Sequence, residues 1–200
     1  MKHKLVFIEG VSGVGKTTTA SLLRDELANT GVPCVCYAEG DSDNPLAAFA
    51  GTYPPPIPLD EFSETYVNCW RRFAEEQPER TYIFDGTLLH HQVNDMLRMF
   101  SASDETIAHH LTVLLKIIQP LNPIVFYLAS HDVAQRLQLA RESREQTAPT
   151  SEKITFWENR KRVDLFVLSR VPVDSFILNV DDGWDAALQR IAGHIMNNQA

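Results

Sequence analysis

Five short apolar runs alternate along the chain with longer stretches in which apolar residues recur every three or four positions. The runs are Leu5–Ile8, Val32–Ala38, Tyr82–Phe84, Ile124–Leu128 and Phe176–Val180. Each is rich in Val, Ile, Phe or Tyr and too short for a helix, so each predicts a buried strand. The stretches between them predict helices over Thr17–Asn29, Asp60–Gln77, Leu88–Phe100, Asp104–Gln119, Asp132–Arg144, Glu152–Val171 and Trp184–Asn197. In the first of these Ala20, Leu23 and Leu27 share a face, and Gly31 supplies the stop. Strands alternating with helices predict right-handed crossovers and an α/β fold, its mostly parallel sheet covered on both sides. Two stretches break the alternation. Gly51–Pro58 is proline-rich and must be extended, either as a stiff connector or as one wall of a ligand cleft. Thr147–Ser151 separates two helices and can form the tip of a flap.

Composition narrows the class. Of 200 residues, 44% are hydrophobic and 22% charged, an ordinary globular balance that excludes wholesale disorder. The length suits a single domain, 1–200. Eighteen Lys and Arg against 26 Asp and Glu leave a net charge of −8, which argues against holding nucleic acid by bulk positive charge. Three cysteines exclude a disulfide scaffold. The most apolar long window, Leu111–Ala129, is interrupted by Lys116, Gln119, Pro120, Asn122 and Pro123, which a membrane span would not carry at its centre. After Lys2 and Lys4 the run Leu5–Ile8 is too short for a signal-peptide core. The expectation is a soluble cytoplasmic protein with neither nucleic acid nor membrane as partner.

Gly10-Val11-Ser12-Gly13-Val14-Gly15-Lys16-Thr17 fits the pattern G-x-x-x-x-G-K-[ST] at every fixed position, between a predicted strand and a predicted helix. The glycines let successive N–H groups turn inward around a phosphate, and the helix adds its positive end at the same place. Lys16 can reach terminal phosphates, and the Thr17 hydroxyl can ligate Mg²⁺. None of the nine glycines follows an Asp by three residues and no Asn-Lys pair occurs, so the guanine-specific switch signatures are absent. A transport-type Leu-Ser-Gly-Gly is absent too. In a chain this small the preference is for a kinase that moves phosphate to a small acceptor.

The segment Phe7-Ile8-Glu9-Gly10-Val11-Ser12-Gly13-Val14-Gly15-Lys16-Thr17-Thr18 resembles the start of the thymidylate kinase and deoxynucleoside kinase group of P-loop kinases. The close match covers about the first thirty residues, and beyond it the similarity is one of layout. The resemblance implies a three-layer P-loop NTPase fold with a five-stranded sheet, ATP with Mg²⁺ at Gly10–Thr18, and an arginine-bearing helical lid, here about residues 136–155. It also implies an acidic residue near the acceptor hydroxyl. Asp85, ending the strand Tyr82–Phe84, and Glu39, ending the second strand, are the two candidates, and Asp85 can also hold magnesium. In the resembling kinases an Arg follows the third-strand acid, whereas Gly86 follows Asp85, which counts against thymidylate as acceptor. Glu39, Asp41 and Asp43 together form a negative patch suited to a neutral or cationic hydroxyl compound, unless Arg71 or Arg72 turns in to offset it.

Arg136, Arg141 and Arg144 fall within about 140° on one predicted helix and can close over ATP, Arg136 as a nucleotide contact and the other two on the transferring group. Arg160-Lys161-Arg162 point in three directions and predict ordinary surface. Tyr66, Trp70 and Phe73 share a helix face and predict core packing. Residues of the adjacent pairs His90-His91 and His109-His110 diverge on a helix, so no zinc site is expected. Cys34 and Cys36 alternate along a strand as small apolar residues. The expected activity is transfer of the γ-phosphoryl group of ATP to a nucleoside- or nucleotide-like acceptor. The alternatives are a kinase for an antibiotic or metabolite alcohol, and a nucleotide-binding regulator. The acceptor and the oligomeric state, a homodimer among the options, stay open.

Overall fold

The computed structural model describes residues 3–38, 41, 44–46, 57–76 and 80–197. Five strands form its sheet: β1 (Leu5–Gly10), β2 (Cys34–Tyr37), β3 (Thr81–Asp85), β4 (Pro123–Ala129) and β5 (Asp174–Asn179). Their order is β2-β3-β1-β4-β5 and every pairing is parallel. Seven α-helices join the described residues: α1 (Lys16–Asn29), α2 (Leu59–Glu76), α3 (Gln92–Phe100), α4 (Asp104–Ile118), α5 (Val133–Glu142), α6 (Ser151–Leu168) and α7 (Trp184–Asn197). None of the described helices is long and apolar enough to cross a membrane.

The central strands β1, β3 and β4 are buried at every position but Ala129 because both faces of the sheet are covered. Leu5, Phe7, Tyr82, Phe84, Val125 and Tyr127 face one core, which α2, α3, α4 and α6 close. Val6, Ile8, Ile83, Ile124, Phe126 and Leu128 face the other, closed by α1, α5 and α7. Tyr66, Trp70 and Phe73 lie in the first core as their spacing predicts, with Trp70 edge-on to Phe7 at 5.6 Å and to Phe84 at 5.3 Å.

The outer strands correct the expectation of five buried runs. β2 and β5 are sheet edges, β2 is only half-buried, and Ile177 on β5 is 57% exposed. The expected helix over Leu88–Phe100 also begins differently, with a π-helical turn at Thr87–His91 before α3. The proline-rich stretch lies largely outside the described residues, of which it contributes Ile57 and Pro58.

The layout creates one crevice. β1 and β3 are hydrogen-bonded neighbours, yet the chain leaves β1 into α1 on one face and leaves β3 toward α3 on the other. The connections therefore diverge beyond the carboxyl ends of the two strands, the place where ligands bind in open α/β sheets.

Candidate functional site

The glycine-rich loop spans this crevice. Gly13 has φ 88°, and a Cβ there would lie 2.4 Å from the Arg136 carbonyl oxygen, so only glycine lets the loop rest on α5. Val14 turns its side chain into the core, leaving its backbone to the loop. Gly15, also left-handed, caps α1, whose first amides lack intrahelical acceptors and whose dipole favours an anion. Lys16 Nζ donates to the Val11 carbonyl at 3.2 Å, which folds the ammonium over the loop. Thr17 Oγ1 donates to Asp85 Oδ2 at 2.5 Å, so the hydroxyl expected to meet magnesium and the third-strand acid occupy one point. Gly86 follows in the left-handed region. A Cβ there would lie 3.0 Å from Lys16 Cε and 3.3 Å from His90 Cβ, so the glycine after Asp85 is what lets those two side chains stand together.

A layer of buried polar groups supports the loop from below. Glu9, the residue before Gly10, is fully buried. Its Oε1 accepts the N–H groups of Leu88 and Leu89 at 2.7 and 3.0 Å, and its Oε2 that of His90 at 3.1 Å. One carboxylate thus satisfies three buried amides of the π-helical turn. Burial pushes the Glu9 carboxyl up to about 7, although the Leu89 N–H, Lys16 and Arg160 pull the other way. Arg160 corrects the expectation of ordinary surface for Arg160-Lys161-Arg162. It is fully buried, and it donates through Nε to Asp164 Oδ1 at 2.7 Å, and through Nη1 to the His90 carbonyl at 3.1 Å and to Asn94. Tyr127 donates to the other Asp164 oxygen at 3.0 Å. Lys161 Nζ donates to the Ser130 carbonyl, while Arg162 is exposed and pairs with Asp104.

Above this layer opens a cleft of about 420 Å³, with Ser12, Lys16, Thr17, Thr18, His90 and Arg144 on its walls. No protein-family model matches the chain, and no curated protein matches it. Among solved structures it is similar to the YorR protein of Bacillus subtilis, which was solved in complex with phosphorylated GDP. The two chains share 15% identity over 96% of this one and 95% of that one, with a TM-score of 0.60. The fold is P-loop-like.

The three arginines expected beside the P-loop take three different positions. Arg144 lines the cleft. Arg141 Nη1 donates to the Thr147 carbonyl at 2.6 Å and so ties α5 to the connection leading into α6. Arg136 forks onto Asp181, with Nη2 at 2.6 Å and Nε at 3.2 Å. Partial burial raises the Asp181 carboxyl, but donations from Arg136, the His131 N–H and Ser130 outweigh it and hold it at about 2. Cations nonetheless gather at this end. The Lys153 ammonium is held below its usual range by burial first, then by Arg141, Arg98 and Arg144. Glu39 and Asp43 lie outside the described residues. Asp41 accepts the Ala38 N–H at 2.6 Å, and Arg71 is exposed and bonded to Asn68 of its own helix.

Glu9, His90 and Arg160 escape the sequence reading. The one local signal is the spacing of Arg160 and Asp164, four apart on a helix.

Proposed function

We propose that the chain is a phosphotransferase that moves the γ-phosphoryl group of ATP to a small-molecule acceptor, a nucleoside or nucleotide. The observation that carries the reading is the Thr17–Asp85 hydrogen bond at 2.5 Å, with Thr17, its neighbour Lys16 and Arg144 all lining one cleft. A binding loop alone needs its amides and its lysine. A carboxylate brought from a neighbouring strand to the loop threonine adds a second hard oxygen, and such pairs suit Mg²⁺. Thr17 and Asp85 would hold the ion directly or through water, and bound there it would neutralise charge on the phosphates.

The remaining work falls to positioning and fixed charge, as phosphoryl transfer requires. The loop amides and the α1 N-terminus grip the polyphosphate, with Ser12 and Thr18 on the cleft wall. Lys16 exchanges the Val11 carbonyl for phosphate oxygens. Arg144 meets charge developing on the transferring group, and Arg141 holds the connection that follows α5 close by. Orienting the acceptor hydroxyl falls to one of the two acids the sequence offers for it, Asp85 or Glu39. The similarity to a protein solved with a phosphorylated guanine nucleotide is consistent with nucleotide chemistry at this fold.

Product identification tests the reading. The purified chain is incubated with ATP, Mg²⁺ and a panel of nucleosides, nucleoside monophosphates and amino-alcohols. ADP and a phosphorylated acceptor should form together, and Lys16→Ala should suppress both by about 100-fold or more. Slow hydrolysis of ATP at the same rate with and without acceptors would replace this reading with that of a nucleotide-binding regulator.

A further inference from the structure

His90 lies on the cleft wall and takes none of the roles given to Lys16, Thr17, Asp85 and Arg144. The protein holds it from several directions. Glu9 takes its N–H, Arg160 takes its carbonyl, and its ring stacks on Trp157 with centroids 5.3 Å apart and planes 25° from parallel. The ring also hydrogen-bonds to the backbone of Gly10, the first residue of the loop. Toward the loop its neighbour is Lys16, and Gly86 leaves both side chains room.

The groups facing His90 are Glu9 from β1, Lys16 from α1, Arg160 from α6 and His91 on its own turn. Burial first, then Lys16, Arg160 and His91, keep the imidazole well below its ordinary range, so the ring is neutral at neutral pH. A permanent cation at this position would be repelled by Lys16 and Arg160 while the cleft is empty. A neutral imidazole avoids that repulsion, and its single N–H, turned to the Gly10 backbone while the cleft is empty, is handed to a phosphate oxygen when a ligand enters, as Lys16 gives up the Val11 carbonyl. A polar ring so costly to bury, rigidly held beside the loop lysine, has a physical reason to be there when a ligand meets it.

We propose that His90 contacts the terminal phosphoryl group of the bound nucleotide, as a hydrogen-bonding partner set alongside Lys16. The proposal deepens the phosphotransferase reading and rests on it. It singles out one part of the ligand, because a residue that touches the third phosphate distinguishes a triphosphate from a diphosphate, whereas one that merely braces the loop does not.

The test is calorimetric titration of ADP and of the non-hydrolysable ATP analogue adenylyl imidodiphosphate, each with Mg²⁺. It is run on the wild-type chain, on His90→Phe, which keeps a ring on Trp157, and on His90→Gln, which keeps a hydrogen-bonding head. For His90→Phe the triphosphate analogue should bind about tenfold more weakly while ADP stays within about twofold. His90→Gln should show the same selectivity in smaller degree, and it carries the test alone if the Phe variant does not fold. Equal weakening of both nucleotides, or weakening of neither, overturns the contact. Failure of the wild-type chain to bind either nucleotide would overturn the underlying reading instead, so the two failures are separable.

Discussion

Thr17 and Asp85 are 68 positions apart and share a hydrogen bond of 2.5 Å, which makes this pair the most informative contact for chemistry. The loop half of it is legible in the sequence because every fixed position of the motif falls between Gly10 and Thr17, and local backbone geometry is what the motif encodes. Asp85 is legible for a different reason: a carboxylate at the carboxyl end of a parallel strand points at the crevice wherever its neighbours lie. Their meeting depends on β1 and β3 being adjacent, which strand-by-strand reading does not dictate. If the pair holds magnesium, Asp85→Asn keeps the shape and the link to Thr17 but gives up the charge. Turnover should then fall by about 100-fold or more, and the magnesium concentration giving half-maximal rate should rise. Rates measured across a magnesium series check this, and an unchanged magnesium dependence would remove Asp85 from the metal.

At the scale of elements, the join between β1 and the π-helical turn shows what sequence patterns miss. Glu9 reads as the polar residue that ends an apolar run, because nothing near it in sequence accounts for burying a carboxylate. Its partners, the amides of Leu88, Leu89 and His90, are 79, 80 and 81 residues away. His90 and His91 are passed over for a similar reason: a test for paired metal ligands on one helix says nothing about one ring packed between a loop lysine and a tryptophan on α6. The join has a measurable signature. Burial raises the Glu9 carboxyl from its ordinary 4.5 to about 7 in the folded chain. Between those values the folded state binds a proton that the unfolded state has released, so this stabilisation is complete below about pH 4.5 and lost as pH rises through 7. A shift of that size corresponds to about 3 kcal/mol. Glu9→Gln cannot ionise and should lack this slope. Urea unfolding at pH 5 and pH 8 should therefore show the wild-type chain losing about 2.5 kcal/mol more than the variant across the interval. The buried His110 ring, lowered to about 4, works in the opposite sense, losing stability on acidification, and cancels because both proteins carry it. Equal slopes would mean that Glu9 titrates normally in the folded chain.

For the molecule as a whole, the layering was readable from alternation alone, since continuous apolar strands and one-faced helices leave few arrangements besides a covered parallel sheet. The polar framework that joins the layers was not. Arg160 looks like one of three surface cations until α6 is laid against β4 and α3, where it meets Asp164, Asn94 and the His90 carbonyl while Tyr127 closes the other side of Asp164. Both charges of the pair are fully buried. A pair taken wholly out of water adds little net stability, but removing one partner strands the other. Arg160→Met should therefore cost about 3–5 kcal/mol in denaturant unfolding at neutral pH, because Asp164 and the Tyr127 hydroxyl are left without their counter-charge. Burial already holds the Asp164 carboxyl above its ordinary value, and losing Arg160 removes the chief group opposing that rise. Asp164 should then fold protonated, making the loss smaller at pH 5 than at pH 8. The double variant Arg160→Met, Asp164→Leu buries no charge at this site and should recover most of the stability. If the double variant is as unstable as the single one, the framework acts through Asn94 and the π-helical turn rather than through its charges, and the support of the P-loop by α6 would have to be reassigned to those contacts.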